Sequence, residues 1–171
     1  MDRYVLSVLV NNHSGVLSRI AGLFSRRGYN IDSLSVGETE NPKVSRMTIV
    51  VQGDHAVLEQ ITKQLAKLID VLHIKELKPD SSVYRELVLI KVGATQQQRA
   101  EVVQIADIYK AKIIDVDITS ITMEITGSQD KLSAFIRLAE PYIIKEIVRT
   151  GMSAIGRSDE TISDDMNKKE W

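Results

Sequence analysis

The stretch YVLSVLVNNHSGVLSRIAGLFSRRGYNIDSLSVG, residues 4–37, changes hydrophobic period twice. Residues 4–10 form an apolar run broken only by Ser7, which predicts a β-strand. NNHSG, residues 11–15, is a polar turn. Val16, Leu17, Ile20 and Phe24, with Ala21 and Leu23 beside them, then fall at helical spacing over residues 16–27. Ser14 is placed to cap that helix and Gly28 to stop it. IDSLSVG, residues 31–37, returns to strand character.

Working outward, ETENPK makes a turn-rich connection to a third strand at residues 45–52, with Met47, Ile49 and Val51 on one face. Asp54 is placed to cap a second helix, whose apolar stripe is Val57, Leu58, Ile61, Leu65, Leu68 and Ile69. Residues 71–77 are a fourth strand, and KPDSS reads as a linker. The second half repeats the order. Residues 84–92 are a strand, and Thr95 to Gln98 fits a capping box. A helix burying Val102, Val103, Ala106 and Tyr109 follows. Residues 112–117 and 120–126 are paired strands joined at Ile118 and Thr119. Ser128 caps a helix carrying Leu132, Phe135, Ile136 and Ala139, Pro141 closes it, and residues 143–150 are the last strand.

The chain is therefore βαββαβ twice. YNIDSLSV after the first helix parallels KIIDVDIT after the third, so the economical reading is a duplicated unit of ~75 residues. Each unit is an α+β fold, a split βαβ in which the third strand lies between the first and second. Two helices then cover one face of an antiparallel sheet. The expected division is 2–78, a linker at 79–83, 84–157, and a polar tail at 158–171. That tail reads as a frayed helix or extension ending on a mobile Trp171. Units this small bury only ~60% of the surface their unfolded chains expose. The bare sheet faces therefore predict packing between copies, most simply a homodimer.

Composition closes several routes. Hydrophobic residues make up 43% and charged residues 26%, an ordinary globular balance. Net charge is −1, which offers no long-range attraction to nucleic acid or anionic membrane. There are no cysteines, which excludes thiolate metal sites and cysteine nucleophiles. No apolar run approaches the ~20 residues that cross a bilayer. The N-terminus reads as a first strand, not a signal peptide, so a cytoplasmic location is expected.

Catalytic chemistry finds no foothold. His13, His55 and His73 are not at metal-ligand spacing, so no metal is expected. Asp115 and Asp117 share a strand face and read as solvated in preference to a cation site. No phosphate loop, nucleophile elbow or dinucleotide fingerprint occurs. RNA-recognition domains share this element order, but they stack bases on aromatics of the first and third strands. Here the third strand has none and the first has only Tyr4. What remains is the turn at residues 11–15. A helix N-terminus offers unpaired N–H groups and suits a carboxylate. Gly15 lets a ligand approach the backbone. The side-chain carbonyls of Asn12 and Asn30 are able to accept from an ammonium group. The first and second strands are parallel, so Asn30 starts at the end of the sheet opposite Asn12. A shared site then requires two copies of the chain. On the residues alone, a plain capped turn is the favoured reading.

Residues 11–54, and above all GVLSRIAGLFSRRGYNI at 15–31, closely resemble the ACT domain of the acetolactate synthase (acetohydroxyacid synthase) small-subunit family. LEQITKQLAKLIDVLHIKEL, YRELVLIKV, IIDV and IVRTGMSAIGR continue the match, so the resemblance covers about residues 2–157. It implies two tandem ferredoxin-like domains, an N-terminal ACT domain and a C-terminal ACT-like one. It implies a regulatory subunit without catalytic activity, partnered by a catalytic large subunit that holds thiamine diphosphate, magnesium and FAD, with no cofactor in this chain. That subunit is activated and made subject to feedback by valine, in branched-chain amino-acid synthesis. By matching motif, the effector would lie between two monomers on Asn12, Gly15 and Asn30, with the adjacent His13, Ser14, Val16, Leu17 and Ile31. Two other classes stay open: a free-standing amino-acid sensor without a synthase partner, and an independent enzyme.

Overall fold

The strand that organises the first half is β3 (Val44–Gly53), hydrogen-bonded on both sides. In the computed structural model, which describes residues 2–159 and 161–163, β3 runs antiparallel to β1 (Asp2–Asn11) from Asp2↔Gly53 to Asn11↔Val44. On its other side it runs antiparallel to β2 (Ile31–Glu38), from Ile31↔Val51 to Glu38↔Ser45. β4 (Val71–Glu76) flanks β1, giving the order β2-β3-β1-β4. This is the split βαβ arrangement expected of the sequence.

Strand alternation decides the faces. Leu6, Val8 and Val10 of β1 and Met47, Ile49 and Val51 of β3 point to one side and form the core. Helix α1 (Val16–Arg26) adds Val16, Ile20, Leu23 and Phe24, and α2 (His55–Leu65) adds Leu58, Ile61 and Leu65. α1 stops in a Schellman turn. Gly28 sits at φ 70°, its N–H donates to Ser25 O (3.1 Å), and Tyr29 N–H donates to Phe24 O (3.0 Å). Asp54 caps α2, its carboxylate accepting from Val57 N–H at 2.8 Å.

The second unit, residues 84–151, repeats the pattern with β5 (Ser82–Gly93), α3 (Arg99–Tyr109), β6 (Lys112–Val116), β7 (Ser120–Gly127), α4 (Gln129–Ala139) and β8 (Ile144–Arg149), in the order β6-β7-β5-β8. Val88, Ile90, Val92, Ile121, Met123 and Ile125 face the helices, and the Tyr109 and Phe135 rings pack tilted at 5.6 Å. The duplication extends to the irregularities. β1 and β4 slip register between Leu9 and Val10, β5 and β8 between Lys91 and Val92, each one residue before the turn that leads to a helix. The second strand of each unit also carries a shift, between Ile31 and Ser33 and between Ile113 and Asp115.

Four expectations need correction. Ser14 does not cap α1; Gly15 occupies the cap position in the left-handed region, with no side-chain bond. α2 ends at Leu65, so Ile69 lies in the following turn and is 88% exposed. Val103 faces outward, and Ile105 packs on the core in its place. The last strand of the second unit starts at Ile144, because Ile143 adopts φ 59° and turns the chain. At the expected linker, 79–83, a 3₁₀ turn, Pro79–Ser81, leads into β5.

The outer face of the first sheet has a cover that the sequence did not suggest. Residues 152–159 and 161–163 pack with this first unit. Met152 N–H donates to Ser33 Oγ (2.7 Å), Ser35 Oγ donates to Met152 O (2.8 Å), and Ala154 N–H donates to Thr48 Oγ1 (3.4 Å). A short strand, β9 (Ser153–Gly156), follows, and Arg157 N–H donates to Ser81 O at 2.8 Å. Met152, Ala154 and Ile162 are buried, as are Val5, Ser7, Leu9 and Val50 of the sheet. The tail reading for residues 164–171, including Trp171, lies outside the described residues.

Ala154→Asp would place a charge where an alanine is buried. It is expected to destabilise the first unit by at least about 2 kcal/mol, read as a lower urea midpoint for its unfolding. Gly28→Ala, at a left-handed φ, is expected to cost about 1 kcal/mol by the same assay.

Candidate functional site

The turn between β1 and α1 is built by ties on both sides. Asn12 N–H donates to Lys43 O (2.8 Å), and its side-chain Nδ2 donates to Pro42 O (2.8 Å) and Glu38 Oε1 (3.1 Å). Both amide donors are thus spent on the β2–β3 connection, leaving the side-chain carbonyl as an open acceptor. Gly15 sits at φ 89° and ψ −14°, a conformation that favours glycine, and a Cβ there would meet nothing within 4 Å. Space beside the backbone is therefore open, while the backbone itself is not open to other residues without strain.

The first intrahelical bond of α1 is Arg19 N–H to Gly15 O at 3.0 Å, and no side chain caps the helix. The other three helices do use side chains at their starts. Asp54 serves α2 and Ser128 serves α4. Ahead of α3, Thr95 N–H donates to Gln98 Oε1 (3.1 Å) and Gln98 N–H to Thr95 Oγ1 (3.3 Å), the capping box expected of that sequence. The second unit's counterpart of the turn is thus self-satisfied. The 190 Å³ cavity beside it, lined by Gly93, Thr95 and Tyr142 among others, opens on donors already used.

One carboxylate holds the turn, and the sequence reading missed it. Asp70, at the entry to β4, is buried, with its side chain 8% exposed. His13 Nε2 donates to its Oδ1 at 2.8 Å, Arg19 Nη1 donates to its Oδ2, and Asn11 N–H donates to its backbone O at 2.9 Å. His13 Nδ1 lies 3.1 Å from Ser14 O. Burial raises the Asp70 pKa, but the bonds from Arg19 and then His13 outweigh it, so the carboxyl titrates below its ordinary range. No local signal marks it, since its partners His13 and Arg19 lie 57 and 51 positions away in sequence.

Asn30 and Ile31 lie elsewhere in the same chain. Asn30 Nδ2 donates to Asp32 Oδ1 (2.9 Å), and Asp32 Oδ2 accepts from Gln52 Nε2 (2.7 Å). Asn11 pairs with Val44 and Ile31 with Val51, so β3 separates the two groups by a rise of about 23 Å. The structure brings Asn12, His13, Ser14, Gly15, Val16 and Leu17 together in one turn and leaves Asn30 and Ile31 at the other end of the sheet. Val16 faces the core, whereas Leu17 is exposed beside the turn.

A separate cavity of about 410 Å³ lies on the outer side of the first unit, lined by Leu9, Val44, Arg46, Leu72, Ile155 and Ile162 among others. Arg46 Nε donates to the buried Ser7 Oγ at 2.8 Å, and burial lowers the guanidinium pKa. None of the turn residues lines it. Among the described residues, no group of three or more His, Cys, Asp or Glu is arranged to hold a metal ion. No helix among them is long and apolar enough to cross a membrane.

Comparison with known proteins bears on both units. Residues 6–73 match the model for the AHAS small subunit-like ACT domain, and residues 85–158 match that for the small subunit of acetolactate synthase. The chain is 50% identical over 154 residues to the acetolactate synthase small subunit of Mycolicibacterium smegmatis, covering 90% of this chain and 91% of that one. It is 48% identical over 158 residues to the acetolactate synthase isozyme 3 small subunit of Salmonella typhimurium, covering 92% and 97%. The crystal structure of the acetolactate synthase small subunit from Thermotoga maritima superposes with a TM-score of 0.87 at 41% identity, covering 94% of this chain and 100% of that one.

The Asp70 clasp makes a prediction about acid. A carboxyl whose folded pKa is depressed contributes stability that is present above its unfolded value, about 3.9, and lost as pH falls through the folded pKa. Melting temperatures measured from pH 7 down to 3 are expected to fall less steeply below about pH 4 in Asp70→Asn than in the wild type, from a lower starting value.

Proposed function

The chain belongs to the acetolactate synthase small-subunit family, and from that premise we propose that it is the regulatory subunit that activates the catalytic large subunit and confers feedback inhibition by valine. The observation that carries the effector reading is the turn itself: a left-handed Gly15 with open space beside it, opening a helix that no side chain caps. The effector carboxylate accepts from the free N–H groups at the start of α1, where the helix dipole adds to the attraction. Its ammonium group donates to the carbonyl of Asn12 and to that of Asn30 from a second copy, since about 23 Å separates the two ends within one sheet. The exposed Leu17 offers apolar surface to a branched side chain.

A homodimer is part of this reading. An effector that bridges two copies favours one interface arrangement over another, and the catalytic subunit senses the difference. Such coupling amounts to about 1–3 kcal/mol. Thiamine diphosphate, magnesium and FAD belong to the catalytic subunit, and this chain supplies regulation in place of chemistry. The pair works in the cytoplasm, in valine, leucine and isoleucine synthesis.

Asn30→Ala and Gly15→Asp are each expected to weaken valine binding by at least about tenfold, roughly 1.4 kcal/mol, with the circular dichroism spectrum preserved. In reconstituted holoenzyme the same variants keep activation and lose valine inhibition. Calorimetry that finds unchanged valine affinity in both variants would contradict the site. Failure of the chain to co-purify with a catalytic subunit would favour a free-standing sensor.

A further inference from the structure

Asp70 is the one charged residue that is buried as a whole among the described residues. A buried carboxylate is costly unless it is paired and hydrogen-bonded. Here each oxygen has a donor, and both donors flank the proposed effector turn. His13 belongs to the turn, and Arg19 lies one helical turn into α1, its N–H bonded to Gly15 O. The backbone carbonyl of the same residue ties Asn11, the last residue of β1. The α2–β4 corner therefore grips the turn at three points through a single residue.

The charge balance matters as much as the grip. The start of α1 already carries the positive end of a helix dipole. An uncommitted Arg19 beside it would add a full positive charge and turn the site toward dianionic ligands. Asp70 takes up that charge. Glu38 lies on the opposite side of the turn, where it accepts from Asn12 Nδ2, so Asp70 is the carboxylate that meets Arg19. We infer that Asp70 is a specificity-determining and positioning residue of the effector turn, which by neutralising Arg19 makes the site select a zwitterionic monocarboxylate with an apolar side chain over an acidic amino acid. This rests on the effector reading of the same turn.

The test uses the full-length chain and calorimetry with L-valine and L-glutamate as probes. Asp70→Asn is expected to raise the glutamate-to-valine affinity ratio by about tenfold or more. Asp70→Asn combined with Arg19→Gln should return the ratio toward the wild-type value, which a merely structural role for Asp70 would not do. Arg19→Gln alone leaves a buried carboxylate half-paired beside the turn. It is expected to weaken valine roughly tenfold, while Arg19→Lys, which keeps the charge, restores most of the affinity. Arg19 has its side chain 56% exposed, so these two variants decide the matter if Asp70→Asn does not fold. A ratio unmoved in Asp70→Asn, valine and glutamate affinities falling by the same factor, or an Arg19→Gln chain that binds valine like the wild type would each overturn the inference. A wild-type chain that binds no valine, leucine or isoleucine would instead overturn the effector reading, and this inference with it.

Discussion

Everything proposed for this protein depends on β3 lying antiparallel between β1 and β2. That placement makes β1 and β2 parallel, so the residue that leaves β1 and the residue that enters β2 stand at opposite ends of the sheet. The turn with the left-handed glycine and the asparagine before β2 therefore cannot meet inside one copy. A ligand that needs both must be held by two chains, and oligomerisation becomes part of the binding site. A βαβ unit with its two strands adjacent would keep the same separation, but it would not present β2 as a sheet edge. In this topology β2 has β3 on one side only, which leaves the strand that follows Asn30 available to a second copy.

The turn itself works by what it leaves undone. Three helices have their starts satisfied by Asp54, by Thr95 with Gln98, and by Ser128. α1 does not, and its first residues are held in place from outside, by Asp70 and by the β2–β3 connection. A turn tied down in this way, at a helix start that no side chain caps, is preorganised for an anion, because less ordering cost is left when a ligand arrives. The second unit keeps the same backbone plan, down to matching register shifts, and closes its own turn with a capping box. One duplicated fold thus carries an open turn and a sealed one, which accounts physically for effector binding being assigned to the first unit alone.

Much of this was legible in the sequence. The strand–helix–strand period of residues 4–37, the repeat, the strand order and the caps at Asp54, Thr95 and Ser128 rest on local rules, and the structure follows them. The misses are non-local or lie at element ends. Ile69 continued the apolar stripe of α2, but the helix had already ended at Leu65. Ser14 is a good cap by composition, yet the left-handed Gly15 turns the chain after it. The cover over the first sheet comes from residues more than a hundred positions away, through Met152 and Ala154 bonding to Ser33 and Thr48, and no local pattern encodes that return. Asp70 was invisible for the same reason. Its partners His13 and Arg19 are distant in sequence, and a lone aspartate before a strand announces nothing by itself. In the candidate site, the residues proposed to hold the effector stand out as a motif, while the residue that ties their turn down does not.

The central claim is that one effector site takes its glycine turn from one chain and its asparagine from another. It is tested most directly by mixing two chains that each lack one half, Gly15→Asp and Asn30→Ala. In a mixed dimer one site receives both wild-type halves and the other receives both altered ones. The account predicts that the mixed dimer, separated from the parent homodimers by differential tags, binds valine with near wild-type affinity at one molecule per dimer, although neither parent does. A mixed dimer that binds no better than its parents would contradict a shared site and place Gly15 and Asn30 in separate roles.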